Sequence, residues 1–205
     1  FRSAGVFSFE DALCLVEARG RLTQQLPSGG GMAVVSAEAA RVSSVLETGD
    51  GNLGIAAINA PNQIVISGDE KALETAVARL QGEGIRVRTM AVAHAFHSPL
   101  MNPMLDAFEA VARRVNYHRP SIPLISNLTG DAVGDELLDA GYWRRHVLGT
   151  VQFVQGLDAM AALGCDTYLE LGPQPTLSAL GKRCPGGDAA VWCSTLKADG
   201  LDRKN

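Results

Sequence analysis

Apolar and polar positions change period several times along this chain, and the changes mark out its elements. Residues 85–92, Ile85-Arg86-Val87-Arg88-Thr89-Met90-Ala91-Val92, alternate as a half-buried strand does. Residues 31–36, 53–60 and 63–67 also read as strands, the last two joined across a Pro61-Asn62 turn. Between them the period is helical. Residues 37–47 turn Val42, Val45 and Leu46 inward, and residues 70–80 carry Leu73, Ala76, Val77 and Leu80 on one face. The order is βαββαβ, the split arrangement called ferredoxin-like.

The flanks follow a different plan. Ser8-Phe9-Glu10-Asp11 fits a capping box in which the serine hydroxyl and the Asp11 carboxylate each satisfy a free backbone N–H. Phe9, Ala12, Leu13, Val16 and Gly20 then fall on one face, the predicted buried face of the first helix. Asn102-Pro103 reads as a helix start, with Asn as cap and Pro at the first position. That helix runs through Leu105, Phe108, Ala112 and Val115 to a short strand at 123–126. A helical region at 142–163, broken at Gly149, leads to a strand at 167–171, a Gly172-Pro173-Gln174-Pro175 turn and a last helix. This is α/β layering with the small unit inserted. Residues 1–30 and 94–196 form the large subdomain, 31–93 the small one, and 197–205 a tail or linker. Ser28-Gly29-Gly30-Gly31 precedes the insert like a hinge and has neither P-loop nor GxGxxG spacing.

Composition narrows the class without choosing within it. The 205 residues are 46% hydrophobic and 20% charged, as in an ordinary globular protein. A net charge of −4 gives no reason to expect nucleic acid or an anionic membrane as partner. No apolar run approaches the roughly 20 residues of a membrane-spanning helix, and no signal-peptide pattern is present. Four cysteines without paired spacing read as reduced thiols in a cytoplasmic protein. The chain starts at Phe1 rather than Met, which reads as a piece of something longer.

Histidine carries the candidate chemistry. His94 and His97 are three apart, which on a strand points them to opposite faces, and no Cys or carboxylate sits at ligand spacing, so a metal site is not expected. His97 lies where the strand at 85–92 gives way to a helix, facing the end of a sheet where α/β proteins place their chemistry. A lone histidine is more often structural, and a catalytic one needs a partner that fixes its tautomer. No Gly-x-Ser-x-Gly nucleophile elbow occurs. Arg19 lies on the flank of the first helix's apolar stripe, where a guanidinium is costly without an anion. On spacing alone, its ordinary role is a salt bridge to a nearby Asp or Glu.

Several separate stretches resemble one family, in order and at nearly the right spacing: the malonyl-type acyltransferase domains of polyketide synthases. AGVFSFEDALCLVEARGRL at 4–22 resembles the helix after the nucleophile, whose arginine, matched by Arg19, binds the malonyl carboxylate. NAPNQIVISG at 59–68 resembles the middle of the family's ferredoxin-like subdomain, and HAFHSPLM at 94–101 the catalytic histidine motif with the base at His97. YWRRHVLGTVQF and LELGPQPTL, at 142–153 and 169–177, resemble the two C-terminal signatures. In the first of these, His146 matches the position whose backbone carbonyl orients the base.

The resemblance implies an α/β-hydrolase-like acyltransferase core, here partial, with an inserted ferredoxin-like subdomain. It implies loading of a malonyl unit from malonyl-CoA onto the phosphopantetheine arm of an acyl carrier protein, with no permanently bound cofactor. The carrier protein and the neighbouring ketosynthase and linker of a synthase would be partners. His94 and Phe96 would shape the substrate pocket, since His-Ala-Phe-His accompanies malonyl and Tyr-Ala-Ser-His methylmalonyl. Phe96 would fill the space a methyl branch needs, a preference worth only ~1–3 kcal/mol. The family's Gly-His-Ser-x-Gly nucleophile is expected a few residues before Phe1, and Thr23 stands where a methionine is common. A non-catalytic fragment or docking module, and an acyl-hydrolase of the same fold, are the alternatives.

Overall fold

The structure is a computed structural model that describes residues 1–47 and 52–196; the tail expected at 197–205 lies outside the described residues. A 3₁₀ turn at Arg2–Ala4 leads into α1 (Phe9–Gln24). The insert follows as β1 (Gly30–Val35), α2 (Ala39–Leu46), β2 (Leu53–Ala60), β3 (Gln63–Asp69), α3 (Glu70–Gly82) and β4 (Val87–Met90). A second 3₁₀ turn, Pro99–Met101, runs into α4 (Asn102–Ala112). The chain ends through α5 (Ala140–Leu148), α6 (Phe153–Ala162), β5 (Thr167–Glu170), α7 (Thr176–Gly181) and β6 (Val191–Ser194).

The insert has the topology its periodicity predicts. Its sheet runs β2-β3-β1-β4 with every neighbour antiparallel. Alternation sends Ala33, Val35, Ile64 and Ile66 to one face, where Val42 and Val45 of α2 and Leu73, Ala76 and Leu80 of α3 cover them. Met32, Ala56 and Val65 go to the other face and meet Phe96 of the large subdomain. The glycines at the start of the insert are not a hinge. Gly30 and Gly31 belong to β1, and a Cβ on Gly30 would strike Ala95, so glycine lets the strand lie close to the loop before His97.

A second core joins α1, α4 and α5 through Leu15, Ala18, Leu22, Leu105, Phe108, Tyr142 and Trp143. Here the predicted face of α1 is wrong. Leu15, Ala18 and Leu22 are buried, whereas Phe9, Leu13 and Val16 are 56%, 52% and 70% exposed. The helix is apolar on two sides, and α4 takes the one that the spacing argument passed over. Its cap is as expected in part: the Asp11 N–H donates to Ser8 Oγ at 3.0 Å, but the Asp11 carboxylate accepts from that hydroxyl rather than from a backbone N–H.

Three boundaries move. Ser98, not Asn102, caps the turn entering α4, accepting from the Leu100 N–H at 3.3 Å. The strand expected at 123–126 is absent: Ile125 makes an isolated antiparallel bridge to Ala132, and with prolines at 120 and 123 the segment lacks donors for a ladder. The last strand of the insert shortens to Val87–Met90, and β6, which pairs parallel with β5, had no prediction.

Candidate functional site

His97 sits between the end of the insert and the Pro99–Met101 turn. It is the one described non-glycine residue with positive φ, 57°. Histidine tolerates the left-handed region better than most side chains, yet the conformation still costs on the order of 1 kcal/mol. Its neighbours hold it there. Ser98 is buried and donates to the Ala95 carbonyl at 2.7 Å, and the Phe96 N–H donates to the His94 carbonyl at 3.1 Å.

The His97 Nδ1–H donates to the Gly149 carbonyl at 2.8 Å, and this bond fixes the tautomer with its lone pair on Nε2. The sequence reading placed the orienting carbonyl at His146, and that is corrected. His146 lies in the last turn of α5, where carbonyls run along the axis. The chain leaves the helix at Gly149 in extended conformation, φ −70° and ψ 153°, which turns its carbonyl out of the helix. Glycine fits closely there: a Cβ would meet the end of the Leu128 side chain, which would have to move, and would lie tight against the Arg145 carbonyl. The helix C-terminus also contributes partial negative charge beside the imidazole.

Arg19, on α1, faces this site half-buried. The salt bridge expected on spacing alone does not form: no carboxylate pairs with Arg19 among the described residues. Burial pulls its pKa below the ordinary arginine value. Arg21, by contrast, points outward and pairs with Glu17 at 2.8 Å. Arg19 lines two hollows. One, of about 470 Å³, is shared with Val16, Thr23, His94 and Phe96. The other, of about 190 Å³, is shared with Phe7, Phe108, Trp143 and His146. The His94 and Phe96 rings meet edge to face at 6.4 Å.

The electrostatics keep both imidazoles neutral. Burial lowers the His97 pKa below the usual histidine value, the Gly149 hydrogen bond pulls it back up, and the charge of Arg19 lowers it again. His146 is pushed down to about 4, chiefly by burial, then by the charges of Arg19 and His97. Its Nε2 is buried with no hydrogen-bond partner among the described residues, and its ring is held among Phe1, Tyr142 and Trp143. A neutral, oriented imidazole beside an unpaired guanidinium can take a proton from a nucleophile and hold an acyl group that carries its own carboxylate. The structure thus brings Arg19, His94, Phe96, His97 and His146 to one region. Gly149 and Thr150 were not singled out as site residues, although the helix break at Gly149 was the signal that pointed to them.

Comparison with known proteins gives a consistent picture. The family model described as "Acyl transferase domain" matches residues 2–193. The chain is 43% identical over 199 residues to polyketide synthase GfsA of Streptomyces halstedii, covering 95% of this chain and 3% of that protein. It is 43% identical over 196 residues to the mycoketide-CoA synthase of Mycobacterium tuberculosis, covering 96% of this chain and 5% of that one. Among solved structures, the acyltransferase domain from the second module of the salinomycin polyketide synthase superposes with a TM-score of 0.93 at 41% identity. That match covers 97% of this chain and 47% of the other, so the chain spans about half the length of that domain. The malonyl CoA-acyl carrier protein transacylase of Clostridium perfringens gives 0.89 at 26% identity, covering 96% and 63%.

Proposed function

The chain belongs to the acyltransferase domains of polyketide synthases, and on that premise we propose that it supplies the base and the carboxylate anchor for malonyl transfer from coenzyme A to an acyl carrier protein. The observation that carries this reading is the pairing of His97, fixed by the Gly149 carbonyl, with a half-buried Arg19 that has no anionic partner among the described residues.

No Gly-x-Ser-x-Gly occurs in the 205 residues, so the proposal assigns the nucleophile to the part of the relatives that this chain does not span. His97 Nε2 takes the serine proton as the serine oxygen attacks the malonyl thioester carbonyl. The resulting imidazolium returns that proton to the departing coenzyme A sulfur. In the second half-reaction His97 takes the proton of the phosphopantetheine thiol, which attacks the serine ester and carries the malonyl group away, and the imidazolium returns that proton to the departing serine oxygen. Arg19 grips the malonyl carboxylate throughout as a bidentate pair. That pairing neutralises the charge that lowers the His97 pKa, so substrate binding itself makes the base stronger. Phe96 and His94 line the hollow beside Arg19 and favour an unbranched malonyl group. The carrier protein and neighbouring synthase domains are the partners, and coenzyme A and phosphopantetheine enter as parts of substrates, not as resident cofactors.

The test joins these residues to a serine-bearing N-terminal half and follows the intact mass. Malonyl-CoA is expected to leave a malonyl adduct that disappears on adding carrier protein, and His97→Ala is expected to abolish it. An equally fast acetyl adduct would contradict the role of Arg19. An adduct absent in every context would contradict catalysis by this site.

A further inference from the structure

The carbonyl that orients His97 is held by the insert. Strand β2 is an edge of its sheet, and its outer side is paired not with another strand but with Thr150 and Val151, the two residues after Gly149. Three hydrogen bonds make the pairing. The Thr150 hydroxyl donates to the Ile55 carbonyl at 2.6 Å, the Val151 N–H to the Ala56 carbonyl at 2.8 Å, and the Ile58 N–H to the Val151 carbonyl at 2.9 Å. A register shift between Ile55 and Ala57 falls at the same place on β2. Bulges of this kind re-aim one side of a strand, often beside active sites. On the other flank, the Gly149 N–H donates to the Arg145 carbonyl at 2.7 Å. Gly149 is therefore pinned between the end of α5 and the edge of the insert.

We propose that Thr150 is a positioning residue, and that its hydroxyl clamps β2 to the end of α5 and so aims the Gly149 carbonyl at His97 Nδ1. Two of the three bonds come from the backbone and survive any side-chain change; the third depends on the hydroxyl. Without it, the Ile55 carbonyl loses a partner and the segment at 149–151 loses, of its three bonds to β2, the one nearest to Gly149. The insert then has a job in the chemistry: small shifts of its sheet are transmitted to the base. The inference rests on His97 being the base, as proposed above, but not on malonyl being the acyl group.

The experiment compares Thr150→Val, which keeps the shape without the hydroxyl, with Thr150→Ser, which keeps the hydroxyl without the methyl. Two quantities are read: the titration of His97 by NMR in this chain, and kcat and KM for acyl transfer when the serine-bearing half is supplied. The Gly149 bond raises the His97 pKa, against the lowering effects of burial and of Arg19. Thr150→Val is therefore expected to move the His97 titration to lower pH. The same variant should cut kcat about fivefold, the worth of one ordinary hydrogen bond, with KM unchanged. Thr150→Ser should restore both. If Thr150→Val fails to fold, by thermal melt, Thr150→Ala against Thr150→Ser makes the same comparison. A wild-type titration and kcat in the hydroxyl-free variant would overturn the clamp, as would a folded Thr150→Ser that behaves like Val. No transfer by wild type, with the His97 titration still moved by Thr150→Val, would sink the functional reading and leave the clamp standing.

Discussion

His97 must be neutral to take a proton, and the groups around it pull in opposite directions. Burial and the Arg19 charge favour the neutral form, while the bond to the Gly149 carbonyl favours the charged one. With His97 as the proposed base, protonation below its lowered pKa is expected to stop transfer, so kcat/KM should fall on an acid limb that lies below the ordinary histidine range. Once a substrate carboxylate neutralises Arg19, His97 holds its proton more tightly, and the acid limb of kcat should lie at higher pH than that of kcat/KM. Arg19→Ala should raise the limb of kcat/KM in the same sense. Coincident limbs, unmoved by Arg19→Ala, would break the link between the two residues. His146 gives a stability signature instead. Its native pKa of about 4 lies below the unfolded value of 6.5, so the unfolded chain binds the proton first as pH falls. Stability is fully present above pH 6.5 and drains away down to about pH 4, by roughly 3 kcal/mol. His146→Gln, which cannot titrate, should flatten the melting temperature across that window. Arg19 and His97 were legible as candidates because both sit in recognisable motifs, and the structure brings them to one region. The carbonyl partner was not, because a backbone group has no identity in sequence and only the exit geometry of α5 selects Gly149 over His146.

At the scale of elements, the end of α5 joins fold to chemistry. A methyl group at position 149 would displace the end of the Leu128 side chain and press on the Arg145 carbonyl, the bond partner of the Gly149 N–H, so the helix exit is strained by it. Gly149→Ala is expected to lower kcat tenfold or more through misplacement of the His97 ring, with a smaller change in KM. Kinetics like wild type would show that the exit geometry is not what aims the base. The elements of the insert were readable because α2 and α3 repeat at helical spacing against one core, while β1 and β3, covered on both faces, stand out as short apolar runs bounded by turn residues. Legibility failed where a helix had two apolar faces or an element had too little chain. On α1 both faces qualify, and only the docking of α4 decides that Leu15, Ala18 and Leu22 go in. The four residues of β6 are too few to show a period, and its partner β5 lies more than twenty positions away in sequence.

For the molecule as a whole, layering and insertion followed from the order of periods, but which outer surfaces are covered did not. Phe9, Leu13 and Val16 on α1 are exposed, as are Leu169, Leu171, Leu177 and Val191 around β5 and α7. On α1 these residues share one helix face by their spacing, and exposed apolar faces are unusual on a free monomer. The 205-residue polypeptide by itself is therefore expected to bind an apolar dye and to self-associate on size-exclusion chromatography, and Leu13→Glu with Val16→Gln should reduce both. A dye-silent monomer would contradict the exposure of these faces. In the proposed site, an oriented base and a guanidinium with no anionic partner among the described residues together suit an acyl group bearing a carboxylate. Titration calorimetry of malonyl-CoA and of acetyl-CoA, on wild type and on Arg19→Ala, is the decisive measurement. Wild type is expected to bind malonyl-CoA at least about tenfold more tightly, the worth of a charge-assisted pair, and Arg19→Ala to erase the difference. Equal affinities in wild type, or a preference that survives the loss of Arg19, would contradict this reading of the site.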